Sequence, residues 1–257
     1  MANTPASRPR PPEAIATGFR PEHADVETAS DAYARRFSGP VGAWFLRTQE
    51  AATLRMLAPY RGARVLDVGG GHGQVTAALI AGGYRLTVFG SAVSCRRRIE
   101  PFLAAGACRF EWGDLLRLPY RPDSFDVVIS YRLLPHVAGW RRLLAELSRV
   151  ARHAVLIDVP IRASVNLVAP WLFALKKRVE GNTRPFTVFD EREVVAAAGS
   201  VGLALEDRCP QFVLPMALHR ALRSPALSAA SERALRALGV TARFGSPVIL
   251  KLVQRHP

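Results

Sequence analysis

Cysteine is scarce in this chain: of 257 residues only Cys95, Cys108 and Cys209 are cysteine, odd in number, far apart and without a Cys-x-x-Cys spacing. That pattern argues against a disulfide framework and a structural zinc site, and makes a reducing cytoplasm the expected setting. Lysine is nearly as rare, standing only at Lys176, Lys177 and Lys251, although the formal charge is +14. Such a charge suits nucleic acid, anionic lipid or an acidic substrate. The arginines, however, run from Arg8 to Arg255 rather than gathering in one block, which a compositional bias explains as well. No run of eighteen apolar residues is found, and the first thirty residues lack an apolar core of signal-peptide type, so no transmembrane segment is expected. Acids or histidines paired at metal-ligand spacing are also missing, and no metal is expected.

What is present is a 49% hydrophobic chain long enough for one sizeable α/β core. Residues 65–68 are an aliphatic run of the kind a parallel strand needs when both of its faces are covered. Gly69, Gly70, Gly71 and Gly73 follow, and residues 75–80 have helical spacing before Gly82 and Gly83 stop them. A strand, a tight turn and a helix are implied, with a turn poor in β-carbons through which a ligand can approach backbone amides at a helix N-terminus. Counted from Gly69, the sixth position of the dinucleotide fingerprint is Gln74, so the nicotinamide version fails.

The remaining pattern, Asp67-x-Gly-x-Gly-x-Gly, resembles the first motif of class I S-adenosylmethionine-dependent methyltransferases. Asp114 and the run Phe125-Asp126-Val127-Val128 resemble the third- and fourth-strand segments of the same family. The likeness covers roughly residues 40–160. It implies a Rossmann-like α/β fold with a seven-stranded, mostly parallel sheet, an antiparallel last strand and helices on both faces. It also implies S-adenosyl-L-methionine as cofactor, held by Asp67, Gly69, Gly70, Gly71 and Gly73, with Asp114 and Leu115 reading the adenine and Ser130 and Tyr131 bordering the sulfonium. N-terminal helices close over the cofactor in related enzymes, which brings in Tyr33.

One departure stands out. The family places an acid at the end of the second strand to receive the ribose hydroxyls, and this chain has Gly90 followed by Ser91. A neutral acceptor such as Ser91 in place of a carboxylate forgoes on the order of 1 to 2 kcal/mol, about tenfold in affinity.

In chain order, residues 1–29 are rich in proline and arginine and are expected to be a disordered tail. Residues 30–257 are expected to form a single methyltransferase domain, with N-terminal helices at 30–60 and a helical lid insertion at 161–189. Strands are expected near residues 85–89, 108–112, 125–130, 154–159, 203–207 and 246–253, and an amphipathic helix at 138–150. The insertion combines an apolar run with Lys176, Lys177 and Arg178, which fits a hydrophobic acceptor carrying an acid, a peripheral lipid contact, or simply a buried helix with a solvated end.

His136, after the fourth strand, and Asp158, at the end of the fifth, are the expected pair for orienting or deprotonating the acceptor. The expected function is therefore methyl transfer, most of all to oxygen, onto a small hydrophobic or acidic acceptor. The alternatives are a catalytically silent cofactor-binding or scaffold protein and, less favoured because no base-reading motif follows the fourth strand, a nucleic-acid methyltransferase. Oligomeric state cannot be read from these residues.

Overall fold

A computed structural model describes residues 23–164 and 186–255. The described strands are β1 (Arg64–Val68), β2 (Arg85–Gly90), β3 (Cys108–Trp112), β4 (Phe125–Ser130), β5 (Ala151–Val159), β6 (Leu203–Phe212) and β7 (Ser246–Gln254). The described α-helices are α1 (Ala24–Thr28), α2 (Asp31–Ala34), α3 (Gly39–Leu57), α4 (Thr76–Ala81), α5 (Glu100–Ala104), α6 (Trp140–Val150), α7 (Glu191–Ser200), α8 (Met216–Leu222), α9 (Pro225–Ala237) and α10 (Val240–Phe244).

The strands make one sheet in the order β3-β2-β1-β4-β5-β7-β6. β1 pairs in parallel with both β2 and β4, whereas β7 runs antiparallel to β5 and β6. Strand order reverses between β1 and β4, and the crevice outside their carboxyl ends is where open α/β sheets bind ligands.

Alternation along the strands divides the core in two. Leu66, Val68, Val128, Val155 and Ile157 enter a cluster that takes the apolar stripe of α6, formed by Trp140, Leu143, Leu144 and Leu147. Val65, Val127, Ile129, Ala154 and Leu156 enter a second cluster, shared with Ala52, Met56 and Leu57 of α3 and with Leu79 of α4. A period of two in a strand sends neighbouring residues to opposite faces, so Asp67 and Asp158 belong to the α3 face. Both are nonetheless buried.

Two expectations change. The disordered tail cannot reach residue 29, because Ala24–Thr28 is helical, and Ala24, Asp25 and Thr28 are buried. The compositional argument weighed apolar area, whereas Asp25 is held by hydrogen bonds and Ala24 needs little area to fill its place. Between β6 and β7 the chain is helical in α8 and α9, which part at Arg223, whose φ is +52°. The sixth strand continues to Phe212, past a register shift between Leu205 and Asp207, because β7 stays beside it throughout. Of the insertion, residues 165–185 lie outside the described residues. Its ends are pinned together: Ile161 bridges Phe189, and the Arg162 amide donates to the Phe189 carbonyl at 2.9 Å.

Candidate functional site

β1 delivers Asp67 to the crevice, and the next four residues turn sharply. Gly69 (φ +78°) and Gly73 (φ +71°) adopt the left-handed conformation that bears a β-carbon poorly, and Gly70–His72 forms a single 3-10 turn between them. The space beside these glycines is already occupied. A β-carbon on Gly70 would lie 2.0 Å from Asp67 Oδ2, and one on Gly71 would lie 2.3 Å from the Cys95 carbonyl oxygen. Internal close packing therefore requires glycine at both positions, whatever approaches the loop from outside.

Asp67 is the electrostatic anomaly of the crevice. Both carboxylate oxygens are buried without a hydrogen-bond partner. Burial pushes its carboxyl up to about 7. Its neighbour in the turn, His72, is driven the other way, down to about 3, by burial first and then by Arg132. His72 Nδ1 accepts from the Gln74 amide at 3.1 Å, and its Nε2 is buried without a partner. Imidazole is thus neutral here, with its proton on Nε2.

The end of β4 adds a polar cluster. Ser130 Oγ donates to the Val68 carbonyl at 3.0 Å, tying β4 to β1. The Tyr131 hydroxyl meets Thr53 Oγ1 of α3 at 3.0 Å, and burial raises the Tyr131 hydroxyl well above its ordinary value. Arg132 has φ +58°, a strained value for an arginine. Its backbone amide donates to Asp158 Oδ1, its Nε to Gln74 Oε1 at 2.8 Å and one terminal nitrogen to Gln49 Oε1 at 3.1 Å. The guanidinium also covers the Phe37 ring at 4.6 Å, and Tyr33 packs on Phe37 with ring centroids 5.8 Å apart. Asp158, Arg132, Tyr33, Gln49, Gln74 and His72 therefore form one cluster where α3 meets the sheet edge.

The expected residues separate into groups. Tyr33, Tyr131 and Asp158 meet around Arg132. His136 sits apart from that cluster, its ring 5.4 Å from Phe186 in a loop fastened by the Thr187 amide donating to the Pro135 carbonyl at 2.8 Å. Asp114 Oδ1 accepts the Leu116 amide at 2.8 Å, so one of its oxygens holds its own turn, and Leu115 is fully buried. Gly90 and Ser91 end β2, where Ser91 is bonded to Asp25.

Arg132, Gln49, Gln74, His72 and Asp25 are the residues that sequence reasoning missed. For Arg132 a signal existed, since it stands directly after Ser130 and Tyr131. For Asp25 none did, because no pattern links it to β2.

α1 lies over the glycine turn and closes the crevice there, and Gly69, Gly70, Gly71, Ser91, Leu115, Ser130 and Tyr131 are all buried. A cleft of about 530 Å3 opens beside it, lined by Tyr33, Phe37, His72, Gly73, Gln74 and Arg98 among others. Among the described residues no cluster of His, Cys, Asp and Glu is arranged to hold a metal ion, and no helix is long and apolar enough to cross a membrane.

Residues 66–157, the segment from β1 to β5 that builds this crevice, match the family model described as a methyltransferase domain. That segment, little more than a third of the chain, is similar to a methyltransferase domain. An O-methyltransferase of Pyrenophora dematioidea is 33% identical over 118 residues, 41% of this chain and 44% of that protein. A demethylmenaquinone methyltransferase of Clavibacter sepedonicus is 37% identical over 107 residues, 39% and 42% of the two chains. The chain thus spans less than half the length of these curated relatives. The magnesium protoporphyrin IX methyltransferase of Synechocystis PCC 6803, solved with S-adenosylhomocysteine, superposes with a TM-score of 0.60 at 16% identity, over 88% of this chain and 94% of that one. That likeness is one of fold and covers most of the chain.

Proposed function

We propose that the protein binds S-adenosyl-L-methionine at the β1–β4 crevice and transfers its methyl group to a small acceptor, with oxygen the favoured atom. The observation that carries this reading is Asp67: a buried carboxylate with no partner, beside a glycine turn, inside a segment that matches a methyltransferase domain. An unpaired buried acid is costly unless a cation or donor completes it. The amino group of the methionine moiety supplies both.

The donor set fits such a ligand, while the room for it is taken by α1. Ala24, Asp25 and Thr28 are buried against the crevice, so α1 has to shift for a ligand to enter. When bound, the cofactor supplies a methyl group on a sulfonium, already electrophilic enough for direct displacement. What remains for the protein is positioning. Asp67 holds the amino group, the backbone of residues 69–73 lies against the ligand, and Leu115 borders the adenine. Arg132, held by two glutamine amides rather than by an acid on its side chain, can receive a carboxylate from the side of the Tyr33 cleft. In this reading His136 takes a proton from an acceptor hydroxyl, while Asp158 holds the strained Arg132 backbone.

Acceptor identity is read only to its class. A small acceptor is favoured because many arginines engage acids pairwise across the surface, as in Arg55–Asp207, Arg141–Glu193 and Arg208–Glu191, instead of massing as one nucleic-acid face. The closed crevice favours one rival, a protein that binds the cofactor without transferring its methyl group.

Titration calorimetry with S-adenosylhomocysteine tests the first step. Binding in the micromolar range is expected, and absence of binding at millimolar ligand removes both readings. If the ligand binds but no methyl passes from labelled cofactor to phenolic or carboxylic acceptors, the silent rival prevails.

A further inference from the structure

The end of β2 has no acid of its own, yet a carboxylate is there. Asp25 of α1 is fully buried and accepts the Ser91 amide at 2.7 Å, the Ser91 hydroxyl at close range and the Cys95 thiol at 3.3 Å. Its Oδ2 lies 3.3 Å from the point where a β-carbon on Gly90 would stand. That β-carbon would also lie 2.9 Å from Cys95 Cβ and 3.2 Å from Phe110 Cζ, so little room is left for a side chain on Gly90 itself. A carboxylate has reached the strand end from a helix some sixty-five residues earlier in the chain.

We propose that Asp25 is a ligand-binding residue that receives the ribose hydroxyls of the adenosyl ligand. The inference rests on the functional reading above. In doubly wound folds a carboxylate following the second strand accepts hydrogen bonds from ribose, which is where Asp25 stands. Its present donors support the assignment. A hydroxyl and a thiol, on Ser91 and Cys95, occupy the carboxylate as two adjacent ribose hydroxyls can, while the Ser91 amide holds Oδ2 in place. Exchange of the two side-chain donors for a diol keeps the buried acid satisfied throughout, as a buried charge requires. α1 then acts as part of the site, drawn onto the ligand by Asp25 after Ala24 and Thr28 give way.

The test compares full-length wild type with Asp25→Asn by calorimetry, using S-adenosylhomocysteine and its 2′,3′-dideoxy analogue. Wild type is expected to bind the natural ligand about tenfold or more tightly than the analogue, as charged acceptors exceed neutral ones. Asp25→Asn is expected to lose that discrimination, with weaker binding of the natural ligand and unchanged binding of the analogue. Should the variant fail to fold by circular dichroism, Asp25→Ser takes its place in the same comparison. Retained discrimination in the variant overturns the proposal. So does tighter binding of both ligands, which makes α1 a plug that competes with them. No binding by wild type overturns the functional reading itself, a result distinct from either of these.

Discussion

Asp67 and His72 stand five residues apart with opposite protonation preferences, and their effects on stability have opposite signs. The folded Asp67 carboxyl, near 7, titrates above its unfolded counterpart near 4, so between these values the folded state binds more protons. Its contribution to stability is greatest below pH 4 and is lost as pH rises toward 7. His72, near 3 when folded and near 6.5 when unfolded, does the reverse: its contribution is complete above pH 6.5 and is lost as pH falls toward 3. The two slopes oppose each other across about pH 4 to 6.5.

Asp67→Asn removes one of them. Relative to wild type, its unfolding free energy is expected to climb from pH 4 to pH 7, by on the order of 4 kcal/mol in total. Urea titrations at several pH values check this. Parallel curves for variant and wild type would show that Asp67 titrates alike in the folded and unfolded protein.

At the scale of the element, the glycine turn and α1 were not equally legible. The turn could be read because strand, glycines and helix follow one another in sequence and backbone chemistry fixes what each can do. β3 and β4 were legible to the residue for the same reason: their aliphatic and alternating patterns are bounded by turn residues. α1 was illegible. Its five residues, ADVET, carry almost no apolar signal, and its place depends on Ser91 and Cys95, which only the folded sheet brings near.

The turn's glycines have a second reason to be glycine: a β-carbon on Gly70 or Gly71 would meet Asp67 or the Cys95 carbonyl, whatever lies against the backbone from outside. Gly71→Ala separates these roles. With a β-carbon only 2.3 Å from a backbone oxygen, the substitution is expected to destabilise the ligand-free protein by about 1 to 3 kcal/mol, seen as a lower urea midpoint with unchanged slope. A glycine kept only for the ligand would leave that midpoint where it is.

Across the whole molecule, sheet order agrees with the likeness to a methyltransferase domain, and the crevice lies where β1 and β4 diverge. What sequence could not supply is the state of that crevice, since closure by α1 is a long-range event. Closure has a thermodynamic consequence. The free energy of opening α1 is subtracted from the intrinsic affinity of any adenosyl ligand, because only the open population binds. Once bound, the ligand stabilises the fold by mass action alone, by about 2.7 kcal/mol at a concentration one hundred times the apparent Kd. In a domain of this size each kcal/mol raises Tm by roughly 2 to 4 °C, so S-adenosylhomocysteine at that ratio is expected to raise Tm by about 5 to 10 °C. Scanning calorimetry across a ligand series checks the size of the shift and its logarithmic growth with concentration. A Tm that stays fixed while titration calorimetry reports binding would mean that the ligand binds the unfolded chain as well as the folded one, and the β1–β4 crevice would no longer account for the heat.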